Sequence, residues 1–397
     1  MTRLSSKVLA SAGLPCGVRP HRLEYGPMPK DGLSLEDKVG QLFWIGFRGT
    51  ALEPPLRSLL ERVRPGGLIL FARNIESAPQ VRSLNDALNG FLRIPPFIAL
   101  DQEGGRVNRL RPILGPIPPN LALARRRAAA RAVGQQAGAM VGALRSLGFS
   151  VNLAPVLDLS GPDPANGIGD RAFGEDPATV CRLARVFLET HLRAGVVPVG
   201  KHFPGLGAAR ADTHLTLPVI LKSRARLTRE DLVPYRRLRR QLPIVMAGHA
   251  YYSALQEEPP GPATLSRAVI EGLLRRRLGY RGLVVTDDLE MGAVEQEKGA
   301  AAQALAALAA GNDGLMFCGS EEKILEAYEG VLGAVLTGEV DERRVDRSLK
   351  RINALKARFL RPRRRARFSE KALERSRRAL AALGAGQDSG SDPTARL

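Results

Sequence analysis

The chain has 397 residues, of which 44% are apolar and 25% charged. That length fits one large α/β domain or two smaller ones, and the composition excludes a wholly disordered chain. The net charge of +19 invites a nucleic-acid partner, but ten lysines among 59 basic residues, and basic runs without interleaved aromatics, read as an arginine-rich solvated surface, so no nucleic acid is expected.

Residues 1–32 hold Pro15, Pro20, Pro27 and Pro29 with little periodicity. They read as a flexible extension, or as upstream of a true start at Met28. The apolar run near the start is too short and weak for a secretory signal. No segment reaches about 18 uninterrupted apolar residues, so no membrane span is expected. Cys16, Cys181 and Cys318 lie far apart and form neither a metal spacing nor a disulfide framework. A cytoplasmic protein without a metal or cofactor is expected.

From Leu33 to about Leu360, short β-branched and apolar runs alternate with helical patterns. The strand candidates are Gln41–Phe47, Gly67–Phe71, Phe97–Asp101, Ser150–Leu157, Val196–Lys201, Ile244–His249, Leu283–Asp287 and Gly314–Cys318. Helical stretches include Leu56–Val63, Ala124–Leu147, Pro177–Ala194, Ser266–Leu278 and Ala300–Ala310. Eight such strands predict an α/β fold, a (β/α)8 barrel over residues 33–360, with a doubly wound open sheet as the alternative. Residues 361–397 are set apart as a basic helical segment, Ser369–Leu383 included, and a disordered tail.

Polar residues favour the barrel. Asp101, Asp158, Lys201, His202, His249 and Asp287 all fall at C-terminal strand ends. Buried parallel strands are nearly continuously apolar, so ionisable groups there point into the mouth where barrel active sites lie.

Three segments carry chemistry. GKHFPGLGAARADTH, Gly200–His214, brings Lys201 and His202 off the fifth strand, then places Asp212 two residues before His214. In extended chain such neighbours point the same way, so the carboxylate can orient the imidazole and raise its pKa. A phosphate cradle at GLG lacks the rest of any such motif. In GLVVTDDLEM, Gly282–Met291, Asp287 ends the seventh strand and Asp288 can cap the following turn; a metal-binding pair would need further ligands. In ALDQEGGRVNR, Ala99–Arg109, an acid and two arginines suit sugar hydroxyls, while Arg106 suits a structural ion pair equally well.

Together these segments resemble glycoside hydrolase family 3, and within it the β-N-acetylglucosaminidases. EDKVGQLFWIGF, ALDQEGGRV, NLAPVLDL, IGDRAFGEDP, KHFPG with DTH, VVTDDLEM and AAGNDGLMF occur in the family's order. The resemblance implies a (β/α)8 barrel and a retaining glycosidase acting on terminal β-linked N-acetylglucosamine. It implies Asp287 as nucleophile, His214 as acid/base with Asp212 as its partner, and Asp101, Arg109, Arg171, Lys201 and His202 as the residues holding the terminal sugar. It also implies muropeptides from peptidoglycan recycling as substrates. A monomer is expected. Leu206 departs from the family loop, which commonly carries His or Asp there, and this bears on loop conformation and fine preference. Another hexose, or phosphate rather than water as acceptor, remain the rival specificities. His249 is the next candidate for the general acid.

Overall fold

The computed structural model describes residues 32–161, 167–211, 213, 215–256, 260–294, 299–360 and 366–384. Eight strands form a closed barrel: β1 (Phe43–Gly46), β2 (Gly67–Ile69), β3 (Phe97–Leu100), β4 (Val151–Asn152), β5 (Val197–Phe203), β6 (Ile244–Ala247), β7 (Leu283–Asp288) and β8 (Gly314–Phe317). They pair in chain order, all parallel, and β1 pairs with both β2 and β8. That closure leaves the barrel no edge and excludes the open sheet. The strands are buried along nearly their whole length, as sheets covered by helices on one face and packed side chains on the other must be.

All eight expected strands are present; most are trimmed at their ends, while β5 runs on to Phe203 and β7 to Asp288. The largest change is at Ser150–Leu157, where regular pairing covers only Val151–Asn152. Pro155 has no N–H to give, and pairing returns as a single bridge between Val156 and Lys201.

The helix expected over Ala124–Leu147 divides into Asn120–Ala124 and Ala129–Leu147. Arg125, Arg126 and Arg127 stand between them. Arg125 closes the short helix as its C-cap, where a cation suits the negative end of the dipole, and the long helix begins after Ala128. Pro177–Ala194 forms as read, with Asp176 accepting from the Ala178 and Thr179 amides and Gly195 closing it. Helix Glu342–Phe359 buries Val345, Leu349, Ile352, Leu355, Lys356 and Phe359 on one stripe.

Residues 366–384 are more integrated than their composition suggests. Ser369 caps helix Glu370–Ala382, which packs on Ala129–Leu147 and buries Leu373 and Leu380. Ser146 and Ser369 exchange hydrogen bonds. Among the described residues, no helix is long and apolar enough to cross a membrane.

At the mouth, the segments after β5 and β6 pair as a short ribbon, Val219–Ile220 with Tyr251–Tyr252. The buried Tyr252 hydroxyl donates to the Gly205 carbonyl at 2.7 Å. This ties down both ends of the long Gly/Pro-rich loop that leaves β5.

Candidate active site

After β3, Asp101 leads into a hairpin of Gln102–Gly104 and Val107–Asn108. Gly104 turns at φ +100°, and a Cβ there would lie 2.9 Å from the Pro118 carbonyl oxygen, so only glycine fits. The Asn152 side chain at the end of β4 grips the Gln102 backbone, accepting from its N–H and donating to its C=O, both at 3.1 Å. The hairpin thereby carries Glu103 into the barrel mouth, with no exposed surface.

On β5 the register against β6 shifts between Gly200 and Phe203, and Lys201 and His202 both line one cavity. Lys201 Nζ lies 2.6 Å from Asp101 Oδ1 and 2.6 Å from Glu103 Oε1. Arg171, in the turn Gly169–Arg171, grips Glu103 through two parallel bonds, Nε to Oε2 at 2.8 Å and Nη2 to Oε1 at 2.9 Å. Burial alone would raise the Glu103 carboxyl; Arg171 and Lys201 overcome it and hold Glu103 well below the usual carboxylate range. Burial likewise opposes the Lys201 charge, and Asp101 and Glu103 more than restore it. Glu103, Lys201 and Arg171 are thus held in their charged forms.

Asp158, fully buried, organises the next layer. Its Oδ2 accepts from the His202 amide at 3.2 Å and lies 2.7 Å from His202 Nδ1, and its Oδ1 accepts from the Leu206 amide at 2.7 Å. A carboxylate partner at Nδ1 places a ring proton there. His202 Nε2 then faces Asp287 Oδ2 across 4.0 Å.

The two acids ending β7 diverge in environment. Asp287 keeps 17% of its side chain exposed to the cavity, and its Oδ1 accepts from the Asp288 amide at 3.0 Å. Asp288 is buried, and its Oδ1 accepts from the amides of Glu290 and Cys318. Burial, with Glu290 and Asp287 nearby, pushes the Asp288 carboxyl well above the usual range. Of the pair, Asp287 is the acid whose side chain is exposed to the cavity.

The structure brings Asp101, Arg171, Lys201, His202 and Asp287 together in one cavity walled by Ile69, Met246 and Met316. Arg109 joins them from beside Asp101, 3.8 Å away and against the Phe71 ring. Arg106 takes the structural role, pairing with Asp170 at 3.3 Å and donating to the Gly167 carbonyl. Asp212 and His214 lie outside the described residues. Thr213 between them lines the cavity, and its carbonyl accepts from the Ala293 amide.

His249 is not a free acid. It is fully buried, donating from Nε2 to the Asp288 carbonyl at 2.9 Å with Thr264 Oγ1 at its other nitrogen, so it braces β7. Glu103 and the role of Asp158 escaped the sequence reading. The signal for Glu103 was an acid inside an otherwise buried strand-end motif. Among the described residues, no group of three His, Cys, Asp or Glu side chains is placed to hold a metal.

The profile of the "Glycosyl hydrolase family 3 N terminal domain" matches residues 34–355. A protein named "Beta-hexosaminidase" from Alkalilimnicola ehrlichii is 42% identical over 286 residues, covering 70% of this chain and 81% of its own. The solved family 3 β-N-acetylglucosaminidase of a Paenibacillus species superposes with a TM-score of 0.81 at 36% identity, covering 88% of this chain and 68% of that one. A fungal multi-domain family 3 β-N-acetylglucosaminidase gives 0.83 at 33% identity over 88% of this chain, which spans 43% of that longer protein.

Proposed function

The chain belongs to glycosyl hydrolase family 3, and from that premise we propose that it releases terminal β-linked N-acetylglucosamine with retention of configuration, by way of a glycosyl group bound covalently to Asp287. The observation that carries this reading is Asp287 itself. It is a partly exposed acid at a strand end, facing the same cavity as Arg171 and the Asp101–Lys201 ion pair.

In the first step, an Asp287 oxygen bonds to the anomeric carbon as the glycosidic C–O bond breaks. A proton passes to the departing oxygen, so the aglycone leaves as an alcohol. In the second step, water gives up a proton and its oxygen displaces Asp287, regenerating the carboxylate. We assign both proton transfers to His214, held by Asp212, since an imidazole can give and take a proton near neutral pH. Thr213, between the two, lines the cavity beside Asp287. The loop of Gly and Pro that carries them suits a group that moves into place with substrate.

The fixed charges of Asp101, Lys201 and Arg171 suit hydroxyl groups of a terminal sugar, and His202 Nε2 can accept one more hydroxyl proton. Specificity for N-acetylglucosamine rests on the relatives' names and on the DTH motif. Muropeptide fragments of peptidoglycan in the cytoplasm are the substrates and setting this reading favours, with a monomeric enzyme and no cofactor.

The test is a panel of aryl β-glycosides run with and without phosphate, with a fluorinated N-acetylglucosaminide as trap. The expected result is preferred turnover of the N-acetylglucosaminide, no glycosyl phosphate, and a label on the peptide at Asp287. Label on Asp288, or turnover by Asp287→Ala, refutes the nucleophile. His214→Ala should still glycosylate with a dinitrophenyl leaving group yet hydrolyse slowly, with azide restoring the second step. Equal slowing of good and poor leaving groups removes His214 from the acid/base role.

A further inference from the structure

At the end of the barrel opposite the active site lies a groove of 1010 Å³. It is formed by the segments that enter β6 and β7, Arg239–Pro243 and Arg277–Leu283, by Leu192 near the end of helix Pro177–Ala194, and by one face of helix Glu342–Phe359. Leu192 and Leu278, half-buried, and Leu242 and Leu355, buried, supply its apolar floor. Arginine and lysine dominate its rim, and among the described residues no Asp or Glu lines it.

That charge is not neutralised from nearby. Arg351 pairs with Asp313, but Asp313 is buried and already shared with Arg275, Ser348 and the Val284 amide. Arg240, Arg277, Arg281, Arg347 and Lys350 have no carboxylate within ion-pair distance among the described residues, and all five are exposed. Like charges crowded on a concave apolar surface repel one another and raise the free energy of the empty groove. An anionic occupant relieves that repulsion while covering the leucines.

We propose that this groove docks an acidic amphipathic helix of another protein, its apolar stripe on the leucine floor and its carboxylates against the arginine rim. The arrangement matches the helix-in-groove mode of recognition, with arginine forks suited to carboxylates. Two other polyanions fit less well. Among the described residues no aromatic side chain lines the groove, so single-stranded nucleic acid finds no surface on which to stack bases. The apolar residues lie on the floor of a concavity, so a flat bilayer cannot reach them. Docking here leaves the barrel mouth open, and the enzyme can turn over while tethered.

The probe is a synthetic 18-residue labelled peptide with leucines at helical i, i+3, i+4 spacing and glutamates elsewhere, titrated against the full chain by fluorescence anisotropy. Saturable binding is expected, weakening as salt rises. The triple variant R281E/R347E/K350E should bind roughly tenfold or more weakly, with glycosidase turnover unchanged. A scrambled peptide of the same composition should also bind less well, because it cannot present an apolar stripe. Equal binding by wild type and triple variant overturns the proposal, as does failure to bind at low salt. If the scrambled peptide binds equally, the leucine floor plays no part and the helix is refuted. A 20-nucleotide RNA, or vesicles of phosphatidylglycerol, binding more tightly than the peptide through the same three residues would reassign the groove to nucleic acid or to membrane.

Discussion

Asp158 holds His202 at two points, accepting from its backbone amide at 3.2 Å and lying 2.7 Å from its ring Nδ1. The same carboxylate receives the Leu206 amide at 2.7 Å, so one buried group fixes a cavity side chain and the start of the β5 loop together. Asp158→Asn replaces one acceptor oxygen with a donor where a donor already points. The imidazole should lose its tautomer and its orientation toward Asp287. Activity on an aryl N-acetylglucosaminide should fall on the order of 10²-fold. Asp158→Glu should not restore it, because the longer side chain cannot meet three donors in the same place. Near-normal kcat/KM in Asp158→Asn would show that His202 needs no such support.

Asp287 and Asp288 are adjacent acids with opposite expectations. Asp288 is driven toward its neutral form by burial, so a carboxamide of the same shape changes little there. Asp288→Asn should keep turnover within about tenfold of wild type, whereas Asp287→Asn should lose at least roughly 10³-fold. Steady-state kcat for the two variants, each checked for folding by circular dichroism, decides the matter. An Asp288→Asn enzyme as inactive as Asp287→Asn would mean that Asp288 acts as a carboxylate.

Much of this site was legible in the sequence because barrel geometry converts strand ends into a common location. Once Asp101, Lys201, His202 and Asp287 were read at the ends of β3, β5 and β7, closure of the sheet placed them in one mouth. Glu103 was not legible that way. It stands past the end of β3, and its inward aim comes from a hairpin that Asn152 clamps from β4. His249 misled for the related reason that a strand-end residue can turn into the wall, here toward the Asp288 carbonyl. The division of Ala124–Leu147 was hidden because alanine and arginine both have high helix propensity, so no residue there marks a break.

Glu103 binds two cations with no solvent contact, so its removal should be costly. Glu103→Leu leaves Arg171 and Lys201 buried beside Asp101 alone. A loss of about 3–5 kcal/mol is expected from urea denaturation, with activity lost in parallel. Arg171→Met in the Glu103→Leu background should recover part of the stability, since it removes the stranded charge. Additive losses in that double variant would mean that the two residues do not stabilise each other.

Lys356 carries a distinct pH signature. It projects from helix Glu342–Phe359 into the base of the barrel, fully buried, with Gln41 Oε1 at 2.6 Å and the Phe97 ring beside it. Burial pushes its amine down to about 7. In the unfolded chain a lysine titrates near 10.4. Between those values the unfolded state binds more protons than the folded state, so stability rises with pH across that window. Below about pH 7 both states are protonated and the penalty for burying the ammonium is complete; it fades as pH rises toward the unfolded value. The slope from this one group is at most about 1.4 kcal/mol per pH unit. Lys356→Met should remove it, whatever the variant's absolute stability after Gln41 loses its partner. Urea unfolding at pH 7, 8 and 9 should therefore show a wild-type minus variant difference that grows more favourable to wild type at each step. A flat difference across that range would mean that Lys356 stays charged in the folded protein, with water reaching it.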